Sequence, residues 1–225
     1  MYSIVIPFYN EEASVKELLD GVADTMKGLR EPYEIIAVND GSSDGTRAEI
    51  EKISGSDPSV ILLDLSGNKG QTACLAGGFS LARGNIVISM DGDLQDDPAE
   101  IPAMLRVLKD TNADVVCGWR KNRRTPVPVL FISRLGNFFQ RAFLRLSIHD
   151  ISCTLRIYKK DAAKAVDLSR RGAHRFIPFI LKREGFTLAE KVVAQRPRKY
   201  GSSKYSLKKV PETISLFLGL LFGKY

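Results

Sequence analysis

The chain has 225 residues, of which 44% are hydrophobic, and it carries a formal net charge of +7 at neutral pH. An apolar fraction this high excludes a disordered chain, and the lack of a repeat period excludes a collagen-like or solenoid array, so we expect a globular protein built mainly on one large domain. Its three cysteines cannot all pair and show no C-x-x-C spacing, which argues against a disulfide framework or a zinc site and favours a reducing cytoplasm.

The first half of the chain alternates short apolar runs with longer amphipathic stretches. Nearly continuous apolar runs predict buried strands at 3–8, 34–39, 59–65, 85–90 and 113–118. Helical periodicity predicts helices between them at 12–29, 44–54, 70–83 and 98–111. This order predicts an α/β fold with a mostly parallel central sheet, helices on both faces, and ligands gathered beyond the carboxyl ends of the strands.

Polar side chains cluster where the predicted strands end. Directly after the strand at 85–90, the segment 91–95 supplies the carboxylates of Asp91 and Asp93 and the carboxamide of Gln95. Oxygen ligands at this spacing suit Mg²⁺ or Mn²⁺, a hard cation that keeps open positions for phosphate oxygens. Strand-end aspartates also cap helices. Asp40, at the end of another strand, strengthens the metal prediction because it brings a further carboxylate to the same edge.

The pattern changes after Arg120. Helical periodicity predicts a helix at 129–146 with an apolar stripe and an opposite stripe of Arg134, Arg141 and Arg145. A strand pair is expected at 153–158 and 186–194, a mobile loop at 197–206, and an apolar helix at 207–222.

Charge divides the chain at the same place. Residues 1–118 carry −11, residues 119–225 carry +18, and the interval 119–149 holds seven basic residues and no acidic one. The basic half indicates an anionic partner, and the candidates are nucleic acid, an anionic membrane face and a phosphorylated substrate. The simpler alternative is that these basic faces are only solvated. We expect no nucleic-acid partner, because this half lacks a recognition-helix or zinc-finger signature and has few aromatic residues for base stacking.

No basic and apolar leader precedes the first strand, so no signal peptide is expected. The longest apolar run, 214–222, has nine residues, whereas a bilayer span needs about twenty. We expect this run to lie at an anionic membrane surface together with the basic stripe of the 129–146 helix. A spanning segment just beyond Tyr225 is the alternative.

No Walker-type phosphate loop is present, and no G-x-G-x-x-G follows the first strand. The sequence therefore favours neither a P-loop protein nor a dinucleotide-dependent oxidoreductase. The remaining interpretation is a protein that binds a nucleoside diphosphate through a metal at the strand ends.

The motifs, in order, resemble those of family 2 inverting glycosyltransferases with the glycosyltransferase-A fold, which is Rossmann-like. Within that family they are similar to the dolichol-phosphate mannose synthase and polyprenyl-phosphate glycosyltransferase branch. The family motifs lie at 4–12, 39–46, 68–70 and 90–98, and the branch markers lie at 118–120, 150–156, 174–176 and 196–205.

The resemblance implies transfer of a sugar from a UDP- or GDP-sugar to a polyprenyl phosphate, with inversion and with Mg²⁺ or Mn²⁺, by a cytoplasmic enzyme peripheral at the inner face of the cell membrane. It assigns the nucleotide sugar to Pro7, Tyr9, Glu11, Asn39, Asp40, Lys69, Asp91 and Gly92. It assigns the metal to Asp91, Asp93 and Gln95, and the acceptor phosphate to Arg120, Arg134, Arg196 and Lys204. The catalytic residues are expected to be Asp93, Asp150, Arg120 and Arg134.

The resemblance also implies a catalytic domain at 1–206, with a nucleotide-sugar half at 1–118, an acceptor half at 119–206, and an interfacial helix at 207–225. A phosphate acceptor has its second pKa near ~6 and needs no strong base. The main rival is a family 2 transferase acting on a saccharide hydroxyl, which needs a carboxylate base; Asp150 is a candidate, although it could equally be a cap. A nucleotidyltransferase and an inactive membrane scaffold are weaker alternatives.

Overall fold

The computed structural model describes residues 1–121 and 147–200, together with Leu216, Phe217 and Gly219. The predicted helix at 129–146 lies outside the described residues, and so does nearly all of the predicted helix at 207–222.

A seven-stranded sheet forms the centre of the described fold. Its strands run in the order β3-β2-β1-β4-β6-β5-β7, and β6 is antiparallel to both of its neighbours while the other pairings are parallel. The strands are β1 (Tyr2–Phe8), β2 (Tyr33–Asn39), β3 (Val60–Asp64), β4 (Ile86–Ser89), β5 (Val115–Trp119), β6 (Arg156–Lys159) and β7 (Leu188–Val192).

Helices connect the strands as the first-half pattern predicts. They are α1 (Glu12–Leu29), α2 (Thr46–Ser56), α3 (Gln71–Leu81), α4 (Ile101–Thr111), α5 (Lys160–Ala165) and α6 (Ile177–Arg183). Short 3₁₀ turns precede α4 at Pro98–Glu100 and α6 at Ala173–Phe176. The turn at Pro98 forms because Asp97 caps it, accepting a hydrogen bond from the Ala99 N–H, and proline occupies the first helical position.

The predicted strands of the first half and their helices are confirmed to within about two residues. The strand pair predicted at 153–158 and 186–194 is wrong in one respect. Both strands exist, but β5 lies between β6 and β7 and pairs with each of them. Apolar content identifies a buried strand but carries no information on which neighbour it hydrogen-bonds.

The core is divided by the sheet into two layers, because alternate side chains of each strand point to opposite faces. On β1, Ile4 and Ile6 pack with α1 and α4, while Val5 packs with α3 on the other face. Helix α1 buries Val15, Leu18, Leu19, Val22 and Met26, which share one stripe at helical spacing. Both faces of the sheet are therefore covered, and polar groups concentrate at its carboxyl edge.

Helix α3 approaches β1 closely because a glycine lies at the contact. A Cβ added at Gly78 would overlap Cγ1 of Val5, a fully buried and β-branched side chain. This contact packs the carboxyl-terminal half of α3 against the middle of β1.

We expect Gly78→Ala to destabilise the fold by about 1–3 kcal/mol through overpacking. Gly28→Ala is the matched control, since its added Cβ meets nothing within 4 Å on exposed α1, and it should stabilise by about 0.5–1 kcal/mol. Chemical unfolding of both variants measures the difference. Equal effects of the two substitutions would show that the α3–β1 contact is not close-packed.

Candidate active site

A cavity of about 470 Å³ opens at the carboxyl ends of β1, β2 and β4. Its lining includes four carboxylates, which we call the acidic wall: Glu11, Asp40, Asp91 and Asp93. The lining also includes three nitrogen-rich side chains of one segment, which we call the basic wall: Arg171, His174 and Arg175. The remaining lining comes from Pro7, Phe8, Tyr9, Gly92, Arg198 and the start of α3 at Asn68, Gly70, Gln71 and Thr72, with Gly172.

Asp40 is fixed by backbone donors of the loop that begins α3. Its carboxylate accepts hydrogen bonds from the N–H of Lys69 at 2.7 Å and of Gly70 at 3.0 Å. Gly70 has φ +88° there, a left-handed conformation that suits glycine. Lys69 therefore contributes its backbone to this site, and its side chain is not part of the cavity lining.

Asn39, the last residue of β2, does not line the cavity. Its amide donates to Asp64 Oδ1 at 2.7 Å, and its carbonyl accepts from the Ser42 N–H at 3.2 Å. The side chain thus orders the turn that follows β2.

Asp91 is surrounded by like charges. Burial, followed by the carboxylates of Asp96 and Asp93, raises the pKa of Asp91 to about 7. Gln71 Nε2 donates to Asp91 Oδ1 at 2.7 Å. Asp96 is buried, and burial raises its pKa as well. A cation placed here would relieve this repulsion.

The sharp turn after β4 requires Gly92. A Cβ at this position would lie 2.7 Å from the carbonyl oxygen of Pro7 and 2.7 Å from the Phe8 ring. The Gly92 carbonyl accepts a hydrogen bond from Ser14 Oγ at 2.8 Å, which joins the turn to α1. The turn brings Asp93 to the cavity beside Pro7 and Tyr9 of the first loop.

The Arg198 side chain contacts two residues of the acidic wall. Its Nη2 forms an ion pair with Asp93, and its Nη1 lies 3.8 Å from Glu11 Oε1. That Nη1 is buried and has no hydrogen-bond partner among the described residues. A buried guanidinium donor without an acceptor is costly, so the position favours an anionic ligand.

Asp150 and Arg120 form a buried ion pair away from the cavity lining. Arg120 Nε and Nη2 donate to the two Asp150 oxygens at 2.8 and 3.1 Å, and the Asp150 N–H donates to Glu190 Oε1 at 3.1 Å. The hydrogen bond and charge of Asp150 help raise the pKa of Arg120 against the effect of burial. This geometry indicates that the two side chains position each other and the loop between β5 and β6.

The other sequence-predicted residues fall in different places. Arg196 pairs with Asp97 at 2.8 Å, and its N–H donates to the Gln95 carbonyl at 2.9 Å. Neither Arg196 nor Gln95 is part of the cavity lining. Arg134 and Lys204 lie outside the described residues.

Within the described ranges, no three His, Cys, Asp or Glu side chains form a ready-made metal-binding group. The donor set nevertheless fits Mg²⁺ or Mn²⁺ in one respect: Asp91 and Asp93 line the cavity, and these cations commonly take one or two carboxylates and complete their shell with substrate phosphates.

Sequence reasoning missed four lining residues: Gln71, Thr72, Arg171 and Gly172. His174, Arg175 and Arg198 were visible only as part of branch markers. Nothing in their local sequence distinguishes Arg171 and Arg198 from surface arginines, because the long loops that bring them to the cavity cannot be placed from periodicity.

Residues 3–167 match the domain of glycosyl transferase family 2, and the chain belongs to that family. It is 34% identical over 227 residues to a dodecaprenyl-phosphate galacturonate synthase of Rhizobium johnstonii, covering 98% of this chain and 66% of the relative. It is 36% identical over 207 residues to an undecaprenyl-phosphate 4-deoxy-4-formamido-L-arabinose transferase of Pseudomonas paraeruginosa, covering 92% and 60%. The chain thus spans somewhat less than two thirds of the length of these relatives.

The fold is the glycosyltransferase-A fold expected from the motifs. A crystal structure of glucosyl-3-phosphoglycerate synthase from Mycobacterium tuberculosis, in complex with Mn²⁺, UDP and phosphoglyceric acid, superimposes with a TM-score of 0.69 at 18% identity. The superposition covers 99% of this chain and 78% of that one.

In the part of the chain that the structure describes, no helix has both the length and the apolarity that a membrane crossing demands.

The crowding of carboxylates predicts a pH-dependent cost in stability. A carboxyl group whose pKa is raised on folding contributes stability at pH values below its pKa in the unfolded chain, near 4. That contribution is lost as the pH rises through its pKa in the folded chain, about 7. In chelator at pH 8, Asp91→Asn should therefore raise the free energy of unfolding by about 1 kcal/mol, or roughly 3 °C in Tm. The asparagine keeps the oxygen that accepts from Gln71.

At pH 5 the gain should disappear, because Asp91 is then protonated in the wild type. Asp110→Asn, on the exposed side of α4, controls for the change in net charge. Thermal unfolding at both pH values makes the measurement, and a gain for Asp91→Asn that does not vary with pH would contradict the assigned repulsion.

Proposed function

We propose that this chain transfers a sugar from a nucleoside diphosphate sugar to the phosphate of a polyprenyl phosphate, with inversion at the anomeric carbon. The observation that carries the proposal is that one cavity is lined by both the acidic wall and the basic wall. Two anionic substrates must meet in such a reaction, and an acidic wall can hold one of them only through a cation, while a basic wall binds the other directly.

The relatives support the acceptor class. The two curated proteins described above are named for dodecaprenyl phosphate and undecaprenyl phosphate. Their sugars differ, so the class of acceptor is the feature that they have in common.

The donor is assigned to the loops that follow β1, β2 and β4. Tyr9, Glu11 and Asp40 would contact the nucleoside, with Pro7 shaping the loop and Lys69 and Asn39 holding Asp40 and its turn in place. Asp91 and Gly92 would meet the sugar diphosphate. UDP and GDP donors both fit the proposal.

The metal is assigned to Asp91 and Asp93, with Gln95 as the third predicted ligand. When bound, Mg²⁺ or Mn²⁺ would neutralise charge that develops on the departing nucleoside diphosphate. Arg198 now pairs with Asp93, so we propose that its guanidinium turns from Asp93 toward the phosphates when the donor binds.

The acceptor supplies its own nucleophile. A phosphate monoester carries an anionic oxygen near neutral pH, and the task of the protein is to hold that oxygen in line with the anomeric carbon. The four carboxylates in the described lining of the cavity are already assigned to the donor and the metal. A phosphate acceptor suits this arrangement, because it needs no further carboxylate as a base.

The roles of the basic residues follow from this division. We assign Arg134 and Lys204 to the acceptor phosphate, and Arg120 and Arg196 to the loops that carry the acceptor, with Asp150 positioning Arg120. Residues 1–206 would form the catalytic domain, with a donor half at 1–118 and an acceptor half at 119–206. Residues 207–225 would lie on the anionic inner face of the cell membrane.

The acceptor itself provides the test. The chain should transfer radiolabelled sugar from a UDP- or GDP-sugar to a short polyprenyl phosphate in the presence of Mn²⁺, and should fail with the matching polyprenol, which lacks the anionic oxygen. The transferred product should have the opposite anomeric configuration to the donor. Comparable rates on phosphate and alcohol would instead support the family 2 rival that acts on a hydroxyl acceptor.

A further inference from the structure

The segment at 195–199 runs antiparallel to the turn that carries the proposed metal ligands, through a bridge between Gln195 and Asp96. In an antiparallel pairing, each step forward on one segment meets a step backward on the other. Three residues along from this bridge, Arg198 therefore comes opposite Asp93, and the two side chains form an ion pair. The register of the two segments thus places the guanidinium at this carboxylate.

Both oxygens of the Asp93 carboxylate are engaged. Oδ1 accepts a hydrogen bond from the Gln95 N–H at 3.1 Å, and Oδ2 forms the ion pair with Nη2 of Arg198. The side chains of Asp93 and Arg198 are only 13% and 23% exposed, so the pair lies largely out of water. A divalent cation that takes Asp93 as a ligand would therefore lie close to the guanidinium, and the two positive charges would repel each other.

One nitrogen of this guanidinium has no acceptor. Nη1 of Arg198 lies 3.8 Å from Oε1 of Glu11, and it is buried without a hydrogen-bond partner within the described ranges. Arg120 differs, since two of its nitrogens donate to Asp150. The pair between Arg198 and Asp93 is thus incomplete, and an anion that enters the cavity would gain a buried donor.

A diphosphate in the cavity would change this balance. Its oxygens carry enough negative charge for a divalent cation and a guanidinium together, and they can accept the hydrogen bond that Nη1 of Arg198 lacks. Without a diphosphate, the cation and the guanidinium depend on the same carboxylate. Metal and nucleotide should therefore help each other to bind, and by linkage each raises the affinity of the other by the same factor.

We propose that Arg198 competes with Mg²⁺ or Mn²⁺ for Asp93, and that a nucleoside diphosphate ends this competition by offering oxygens to both cations. The proposal rests on the metal and donor sites of the proposed function and deepens them. It makes the complex of metal and nucleotide, rather than the free cation, the species that the cavity binds well. Arg198 thereby prevents the acidic wall from holding a divalent cation before the donor arrives.

Metal affinity tests the competition without any acceptor. Electron paramagnetic resonance measures free Mn²⁺ during a titration of the protein in nucleotide-free buffer. Arg198→Gln removes the competing charge, so it should bind Mn²⁺ about tenfold more tightly than the wild type, the fold-change that corresponds to one charge-assisted hydrogen bond. Arg198→Met, a second uncharged replacement, should show the same gain. Arg198→Lys keeps a cation in place and should stay closer to the wild type.

Two controls separate the competition from a general change in charge. Arg106→Gln makes the same charge change on the exposed side of α4 and should leave the Mn²⁺ affinity at the wild-type value. Asp93→Asn combined with Arg198→Gln should lose the gain, because the competition acts through this carboxylate. Mn²⁺ affinities of Arg198→Gln and Arg198→Met that equal the wild-type value or fall below it would overturn the proposal, and so would an equal gain in Arg106→Gln.

Nucleotide binding tests the predicted coupling. Isothermal titration calorimetry with UDP and with GDP selects the tighter nucleotide, which is then titrated into the wild type and Arg198→Gln with and without Mn²⁺. Mn²⁺ should raise the nucleotide affinity of the wild type by a factor that is at least about fivefold larger than in Arg198→Gln, because only the wild type has a competitor to remove. Equal factors in the two proteins would contradict the proposal.

The proposed function fails in a different way, when the wild type transfers sugar to no polyprenyl phosphate. Binding of the cation and the nucleotide needs no acceptor, so the competition can be demonstrated even with a chain whose acceptor is a hydroxyl. Conversely, a wild type and an Arg198→Gln variant that both bind no Mn²⁺, with nucleotide or without it, would overturn the competition whatever the acceptor.

Discussion

The repulsion among carboxylates at the carboxyl edge of the sheet is the constraint on which the site depends. Parallel strands that end together bring Asp40 and Asp91 to one edge, and the tight turn at Gly92 adds Asp93. Burial and neighbouring charge raise the pKa of Asp91 to about 7, because its negative charge is held close to other carboxylates and away from water. Arg198 relieves part of this by pairing with Asp93, and a divalent cation with a diphosphate would relieve more.

Arg120 and Arg171 show how burial and pairing distinguish an arginine that stabilises the fold from one that can bind a ligand. Arg120 donates from two nitrogens, Nε and Nη2, to one buried carboxylate, so removing either partner would leave an uncompensated buried charge. Arg171 is exposed and has no described partner. The first arrangement fixes a loop, and the second leaves the energy of an ion pair to be gained on binding.

The acidic half of the site could be predicted from sequence because its residues directly follow buried strands. Apolar runs place β1, β2 and β4, parallel pairing aligns their ends, and Glu11, Asp40, Asp91 and Asp93 are then brought to one cavity. The basic half could not be predicted in this way. Arg171 and Arg198 reach the cavity through long irregular segments, and the order of β5, β6 and β7 is set by hydrogen bonding that an apolar pattern does not encode. Arg120 and Arg196 carry the same charge as Arg171, and only their carboxylate partners in the folded chain distinguish them.

The presence of both walls in one cavity also explains how that cavity can accept two anions. Charges of the same sign separated across a partly desolvated space interact strongly unless each is neutralised locally. A crystal structure with Mn²⁺, a nucleoside diphosphate and a short isoprenyl phosphate tests this account most directly. We predict the diphosphate and the cation at Asp91 and Asp93, and the lone phosphate at the basic wall. A nucleotide bound without a cation at these carboxylates, or a lone phosphate bound away from the basic wall, would contradict it.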